Sequence, residues 1–253
     1  MCRKNKLAAL CILCFAGIPF YYVFPSYVFL LYSFLLIPIC CLISYKTTEI
    51  NLKKLVTIIG LCILIGIVWD YFSITLGIWS FPNGSSLLLL LGIPIEEILF
   101  FILYPTLAIL IYLSQQKHNN TNWLHIPESI ALSLVGLIQI LILIIIYVFK
   151  KTNYLSLLML FAGVPTIYFL FKRGERINKL NLLFTVIIMV FISILIDHFA
   201  IVKGVWSYND EFLIGKIGII PIESIFFAVF ISTLTIGLYS SLPENNILKG
   251  KFK

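Results

Sequence analysis

W-D-Y-F-S-I-T-L-G-I-W-S-F at residues 69–81 returns 127 positions later as I-D-H-F-A-I-V-K-G-V-W-S-Y at residues 196–208. Six of the thirteen positions are identical: Asp70 with Asp197, Phe72 with Phe199, Ile74 with Ile201, Gly77 with Gly204, Trp79 with Trp206 and Ser80 with Ser207. The same displacement lays I-P-I-E-E-I-L-F at residues 93–100 on I-P-I-E-S-I-F-F at residues 220–227, and Pro38 on Pro165. Residues 82–91 share nothing with their counterparts, although their length is kept. A displacement of half the chain that preserves a pattern without a gap marks an internal duplication, and a repeat of this kind sets the architecture.

The repeated unit is written in apolar residues. Of 253 residues 61% are hydrophobic and only 11% are charged, and the mean hydropathy is +1.07, which makes the bilayer the solvent. A spanning helix needs about 20 apolar residues. Such stretches fall at residues 7–24, 27–45, 55–76, 94–113, 129–149, 154–171, 182–201 and 221–239. The sequence therefore predicts an all-α integral membrane protein of about eight transmembrane helices, in two four-helix repeats over residues 1–118 and 119–253. An even number of helices per unit makes both copies enter the membrane in the same direction, as parallel repeats. Residues 1–24 look like a secretory signal, with a basic head and an apolar body, but their counterpart deep in the chain argues that they are kept.

The net charge of +7 does not point to nucleic acid, because basic residues that border membrane helices record topology. With the N-terminus inside, fourteen Lys and Arg residues fall on the inner side, and only Lys150, Lys151, Lys203 and Lys216 fall outside. This predicts a multi-pass protein of the cell membrane with both termini cytoplasmic, in contact with membrane lipid. The six cysteines lie in the first half. Cys11 and Cys14 have C-x-x-C spacing, but no second pair or histidine completes a metal site, so the cysteines read as small apolar residues and no metal is expected.

Chemistry is concentrated in five acidic residues within or beside membrane segments: Asp70, Glu96, Glu97, Asp197 and Glu223. A charge at the bilayer centre costs roughly 2.5 to 3.5 kcal/mol even on the lenient insertion scale. Asp70 with Glu96 and Asp197 with Glu223 form two matched pairs, a placement that chance does not explain. An apolar surrounding favours the neutral, proton-bearing form of a carboxyl group, so these residues suit acid–base work. The alternative is structural: a glutamate in the first turn after Pro94 or Pro221 caps free N–H groups and complements the helix dipole. Glu96 and Glu97 point about 100° apart around a helix, and the second copy keeps Glu223 but has Ser224 in place of Glu97.

Phe100 and its counterpart Phe227 follow the duplicated glutamates by four residues, and Phe101 and Tyr104 follow Glu97 by four and seven, which sets rings on the acids' faces. They either pack the helices or stabilise a developing carbocation, at about 1 to 2 kcal/mol each when desolvated. Trp79 and Trp206 either anchor the chain at the interface or line a substrate mouth. His198 follows Asp197, but its counterpart is Tyr71, which speaks against a shared histidine mechanism.

The duplicated Asp, Gly-x-Trp and Pro-Ile-Glu pattern, with Pro94-Ile95-Glu96-Glu97 its most specific part, resembles the membrane lycopene cyclase domain family, here as a fused tandem. The resemblance implies β-cyclisation of the ψ ends of lycopene or a related acyclic carotenoid, a lipophilic substrate, and association with other carotenoid-pathway enzymes. Such a reaction needs an acid to protonate an alkene, a dry pocket, and a base to take a ring proton. It is redox-neutral and requires no cofactor, and the chain has no G-x-G-x-x-G dinucleotide fingerprint. A transporter with parallel repeats and a carotenoid hydratase are the rival readings. The unequal copies further suggest one composite site that closes one substrate end at a time.

Overall fold

The computed structural model describes residues 50–82, 89–90, 92–116, 153–173 and 177–242. In chain order these form α1 (Leu52–Thr75), the short strands β1 (Trp79–Ser80), β2 (Leu89–Leu90) and β3 (Ile93–Pro94), and α2 (Ile95–Gln116). There follow α3 (Asn153–Leu158), a π-helical segment (Met159–Gly163), α4 (Val164–Arg173) and α5 (Lys179–Val202). The chain continues through β4 (Ser207–Tyr208), a 3₁₀ turn (Asp210–Phe212), β5 (Lys216–Ile217) and β6 (Ile220–Pro221) into α6 (Ile222–Ser241). Among the described residues, α1, α2, α5 and α6 are long and apolar enough to cross a membrane. They coincide with four of the eight expected spans, and a fifth, at 154–171, falls on α3, the π segment and α4. The spans expected at 7–24, 27–45 and 129–149 lie outside the described residues.

The duplication is visible atom by atom at the ends of α1 and α5. Each begins at an asparagine whose side chain accepts from a backbone N–H three residues on, Asn51 from Lys54 at 3.2 Å and Asn178 from Asn181 at 3.1 Å. Each ends in a glycine with positive φ, Gly77 at +72° and Gly204 at +66°. Beyond it an N–H turns back to the last turn, Ile78 to the Ser73 carbonyl at 2.9 Å and Val205 to the Ala200 carbonyl at 2.8 Å. This is the left-handed closing turn that glycine permits at a helix C-terminus. Both helices turn large apolar side chains outward, Leu64 and Phe191 standing 63% and 62% exposed, as expected of sides that face lipid.

Beyond each closing turn the chain forms a β-hairpin. β2 pairs with β3, Leu89 opposite Pro94, and β5 pairs with β6, Lys216 opposite Pro221. The two registers differ by 127 residues. This accounts for a segment whose length survives without identity, since a ladder is made of backbone and leaves side chains free. The sequence expectation set Pro94 and Pro221 as first helical residues; they lie instead at the ends of β3 and β6, and the helices start one residue later. Pro221 has φ −58° and ψ 139°, extended backbone that closes a ladder without an N–H to donate. β1 and β4 pair antiparallel with Ser80 opposite Ser207, their hydroxyls 3.0 Å apart. α6 is the central helix of the core, packing on α2, α4 and α5.

Candidate active site

α1 and α5 end, and α2 and α6 begin, at one level of the fold, so the acids near these ends are brought together. Asp70 lies five residues before the end of α1 and Asp197 five before the end of α5; Glu97 is the third residue of α2, and Ser224 the third of α6. Asp70, Asp197, Glu97 and Ser224 line one cavity of about 70 Å³, and all four are buried. Glu97 lies within electrostatic reach of both aspartates and of Glu96. Tyr208 donates to Asp197 Oδ1 at 3.4 Å, and its hydroxyl is 3.4 Å from Ser224 Oγ. Burial, reinforced by the nearby Asp197, holds the Tyr208 phenol in its protonated form well above its ordinary 10, so it remains a donor.

Rings enclose these acids. Trp69 meets Trp79 at 5.8 Å between centroids and Phe161 at 5.8 Å, Trp79 meets Tyr154 at 5.2 Å, and Tyr154 stacks on Tyr208 at 5.9 Å. Phe100 stacks on its own counterpart, Phe227, at 6.4 Å. Trp79 and Trp206 are both buried and turn into the cavity. Phe161 reaches Trp69 from the π-helical segment, whose wider turn re-aims side chains and occurs often at functional sites. Faces of Trp and Tyr beside a carboxyl cluster can stabilise a positive charge next to the acids.

Of the residues singled out in the sequence, Asp70, Asp197, Glu97, Phe100, Phe101, Phe227, Trp79 and Trp206 line this chamber. Tyr104 lies beyond it, in a second cavity of about 50 Å³ that shares Trp69, Phe100, Phe101 and Phe227 with the first. Glu96 and Glu223, the glutamates retained in both copies, are buried but do not line the chamber. Glu223 accepts instead from the Ile214 backbone N–H, which pins the loop that carries the 3₁₀ turn. Glu223→Ala should accordingly lower stability by about 1 kcal/mol, the worth of a hydrogen bond to a partly buried N–H. A melting curve in detergent unchanged from wild type would remove this anchoring role.

Tyr154, Tyr208, Trp69, Ser193 and Phe161 line the two cavities and were not singled out in the sequence. A signal existed for two of them: the displacement of 127 lays Tyr27 on Tyr154 and Phe34 on Phe161. Trp69 and Tyr208 stand opposite non-identical counterparts, Ile196 and Phe81, which line the chamber too. A search for identities passes over such positions.

The family described as lycopene cyclase matches the chain twice, over residues 24–114 and 151–242, well over half its length and again displaced by 127. The chain is 26% identical over 219 residues, 76% of its length, to a bifunctional lycopene cyclase/phytoene synthase of Phaffia rhodozyma, covering 32% of that protein. It is 27% identical over 181 residues, 64% of its length, to a bifunctional lycopene cyclase/phytoene synthase of Neurospora crassa, covering 30% of that protein. The chain thus spans about a third of the length of the curated relatives it matches. No solved structure matches it. With its pattern of paired acids matched in both halves, the chain belongs to the lycopene cyclase family.

Proposed function

We propose that the chain is a carotenoid β-cyclase that closes the ψ ends of lycopene, or of a related acyclic carotenoid, by acid–base isomerisation. One observation carries this: three carboxyl groups from three helices meet in a ring-lined chamber that shares a wall with an apolar cavity. In this reading Glu97 delivers a proton to the terminal alkene, leaving a tertiary cation. The neighbouring double bond attacks that carbon, which forms the ring bond and moves the positive charge to a second tertiary carbon. A proton on the adjacent ring carbon then passes to Asp197 and the ring double bond forms. Atoms and electrons balance, because one proton enters and one leaves.

Asp197 suits the accepting role because Tyr208 donates to it and fixes its orientation. Asp70 would relay the proton between the two carboxyls. The rings of Trp69, Trp79, Tyr154 and Phe227 would stabilise the cation at about 1 to 2 kcal/mol each and exclude the water that would trap it as an alcohol. The proposal extends to the whole chain as two parallel four-helix repeats, over residues 1–118 and 119–253, with eight spans and both termini cytoplasmic. Membrane lipid would surround it and other enzymes of carotenoid synthesis would adjoin it. Expression in a lycopene-accumulating bacterium tests the reading: cyclised pigment is expected on chromatography, whereas a tertiary alcohol would indicate a hydratase, and unchanged lycopene would overturn the enzyme assignment.

A further inference from the structure

The second cavity has a counterpart, and the two differ. Its walls come from α1 (Cys62, Ile65, Gly66, Trp69), α2, α6 (Ile231, Leu234, Thr235, Leu238) and Phe161. From Phe227 to Leu238 it follows α6 for roughly 16 Å, at 1.5 Å per residue. It adjoins the acid chamber at Trp69, Phe100, Phe101 and Phe227, which line both. Hydrocarbon side chains form nearly all its surface, so its occupant is an apolar chain whose reacting end lies among the carboxyls.

Moved by 127 residues, the walls become Met189 and Ile192 of α5, Leu107, Ala108 and Ile111 of α2, and Ala228 of α6. Among the described residues, these line neither of the two cavities. They form one close-packed cluster in which Met189, Leu107, Ala108 and Ala228 are wholly buried. Two exchanges fill the space: Met189 stands where the open side has Cys62, and Tyr104 stands where it has Ile231 and directs its hydroxyl to the Met189 carbonyl at 3.5 Å. Two others bring helices together: Ala108 and Ala228 replace Thr235 and Phe101, and α2 packs more extensively on α5 than α6 does on α1. On the open side Gly66 admits the Phe101 ring, which a Cβ there would meet at 2.6 Å.

We propose that the cavity between α1, α2 and α6 is a polyene channel and that, among the described residues, its counterpart between α2, α5 and α6 is built shut, so that one end of the carotenoid is closed per binding event. This rests on the cyclase reading. The substrate end enters the acid chamber and the polyene lies along Phe101, Tyr104 and Thr235. Among the described residues the opposite end has no second chamber to reach, so a monocyclic carotenoid must leave, turn and rebind.

Lycopene retained by the purified protein, read from its polyene absorption, tests the channel whether or not the chain cyclises it. Thr235→Leu and Cys62→Leu fill the channel from opposite walls, and each should cut retained pigment about tenfold or more. Met189→Leu, a change of equal volume in the closed counterpart, should retain pigment as wild type does. Unchanged retention in both filled variants would overturn the proposal. In wild type a time course should show monocyclic before bicyclic pigment, and bicyclic product alone at the earliest times would equally overturn it. Lycopene that is retained but never cyclised would instead sink the cyclase reading and leave the channel standing.

Discussion

Glu97→Gln should lower ring formation by at least ~100-fold, at the low end of what a positioned general acid contributes, while lycopene is still retained by the protein. Glutamine keeps the shape of the side chain and removes its transferable proton, so binding and chemistry separate. Glu97 is the carboxyl that α2 turns into the chamber. Ser224, its counterpart on α6, has only a hydroxyl near Tyr208; Ser224→Ala should cost no more than about tenfold, the worth of one hydrogen bond to an oriented group. Glu96→Gln and Glu223→Gln should act chiefly on protein yield and melting, because these groups lie outside the chamber. Pigment analysis normalised to membrane-inserted protein measures all four, and normal ring formation in Glu97→Gln would remove this residue from the reaction.

Asp197→Asn should also lower the rate by about 100-fold, with a change in product that the first substitution lacks. If Asp197 takes the ring proton, its loss leaves a cation already formed with no base beside it. Such a cation loses a proton from another adjoining carbon or captures water. Ring isomers and a tertiary alcohol should therefore appear beside a reduced β-ring. Tyr208→Phe removes the donor that orients Asp197 and should act in the same direction at about tenfold. An Asp197→Asn enzyme that is slow but makes the wild-type product alone would assign deprotonation to Asp70 or to Glu97.

Much of this arrangement was legible in the sequence because the duplication displays it twice. Asp70, Asp197 and the Pro-Ile-Glu segments came out as site candidates without reference to structure, and the helices begin within a residue of where proline suggested. Retention in both copies does not coincide with a place in the chamber. Glu96 and Glu223 survive in both copies, yet neither lines the chamber, and Glu223 holds the Ile214 N–H. Glu97 and Ser224 differ and face the chamber. Nor could helical periodicity reveal that rings from residues 69, 154 and 208 share one wall, since that depends on how α1, α3 and β4 meet. Equally hidden was the difference between an open cavity and a packed one, which turns on a few side-chain volumes, Cys62 against Met189 and Ile231 against Tyr104.

The pairing of β1 with β4 has a consequence for symmetry. Ser80 faces Ser207, and Phe100 faces Phe227: each residue meets its own copy, the hallmark of an isologous contact about a two-fold axis. Two separate, identical units joined this way would be obliged to carry the same residue on both sides of the axis. A Glu97-type acid would then stand on both, along with a channel that was open twice or shut twice. Joining the units in one polypeptide lifts that obligation. Each side can then be set independently, and an acid on one side of the axis can work with a hydroxyl on the other in a single asymmetric centre.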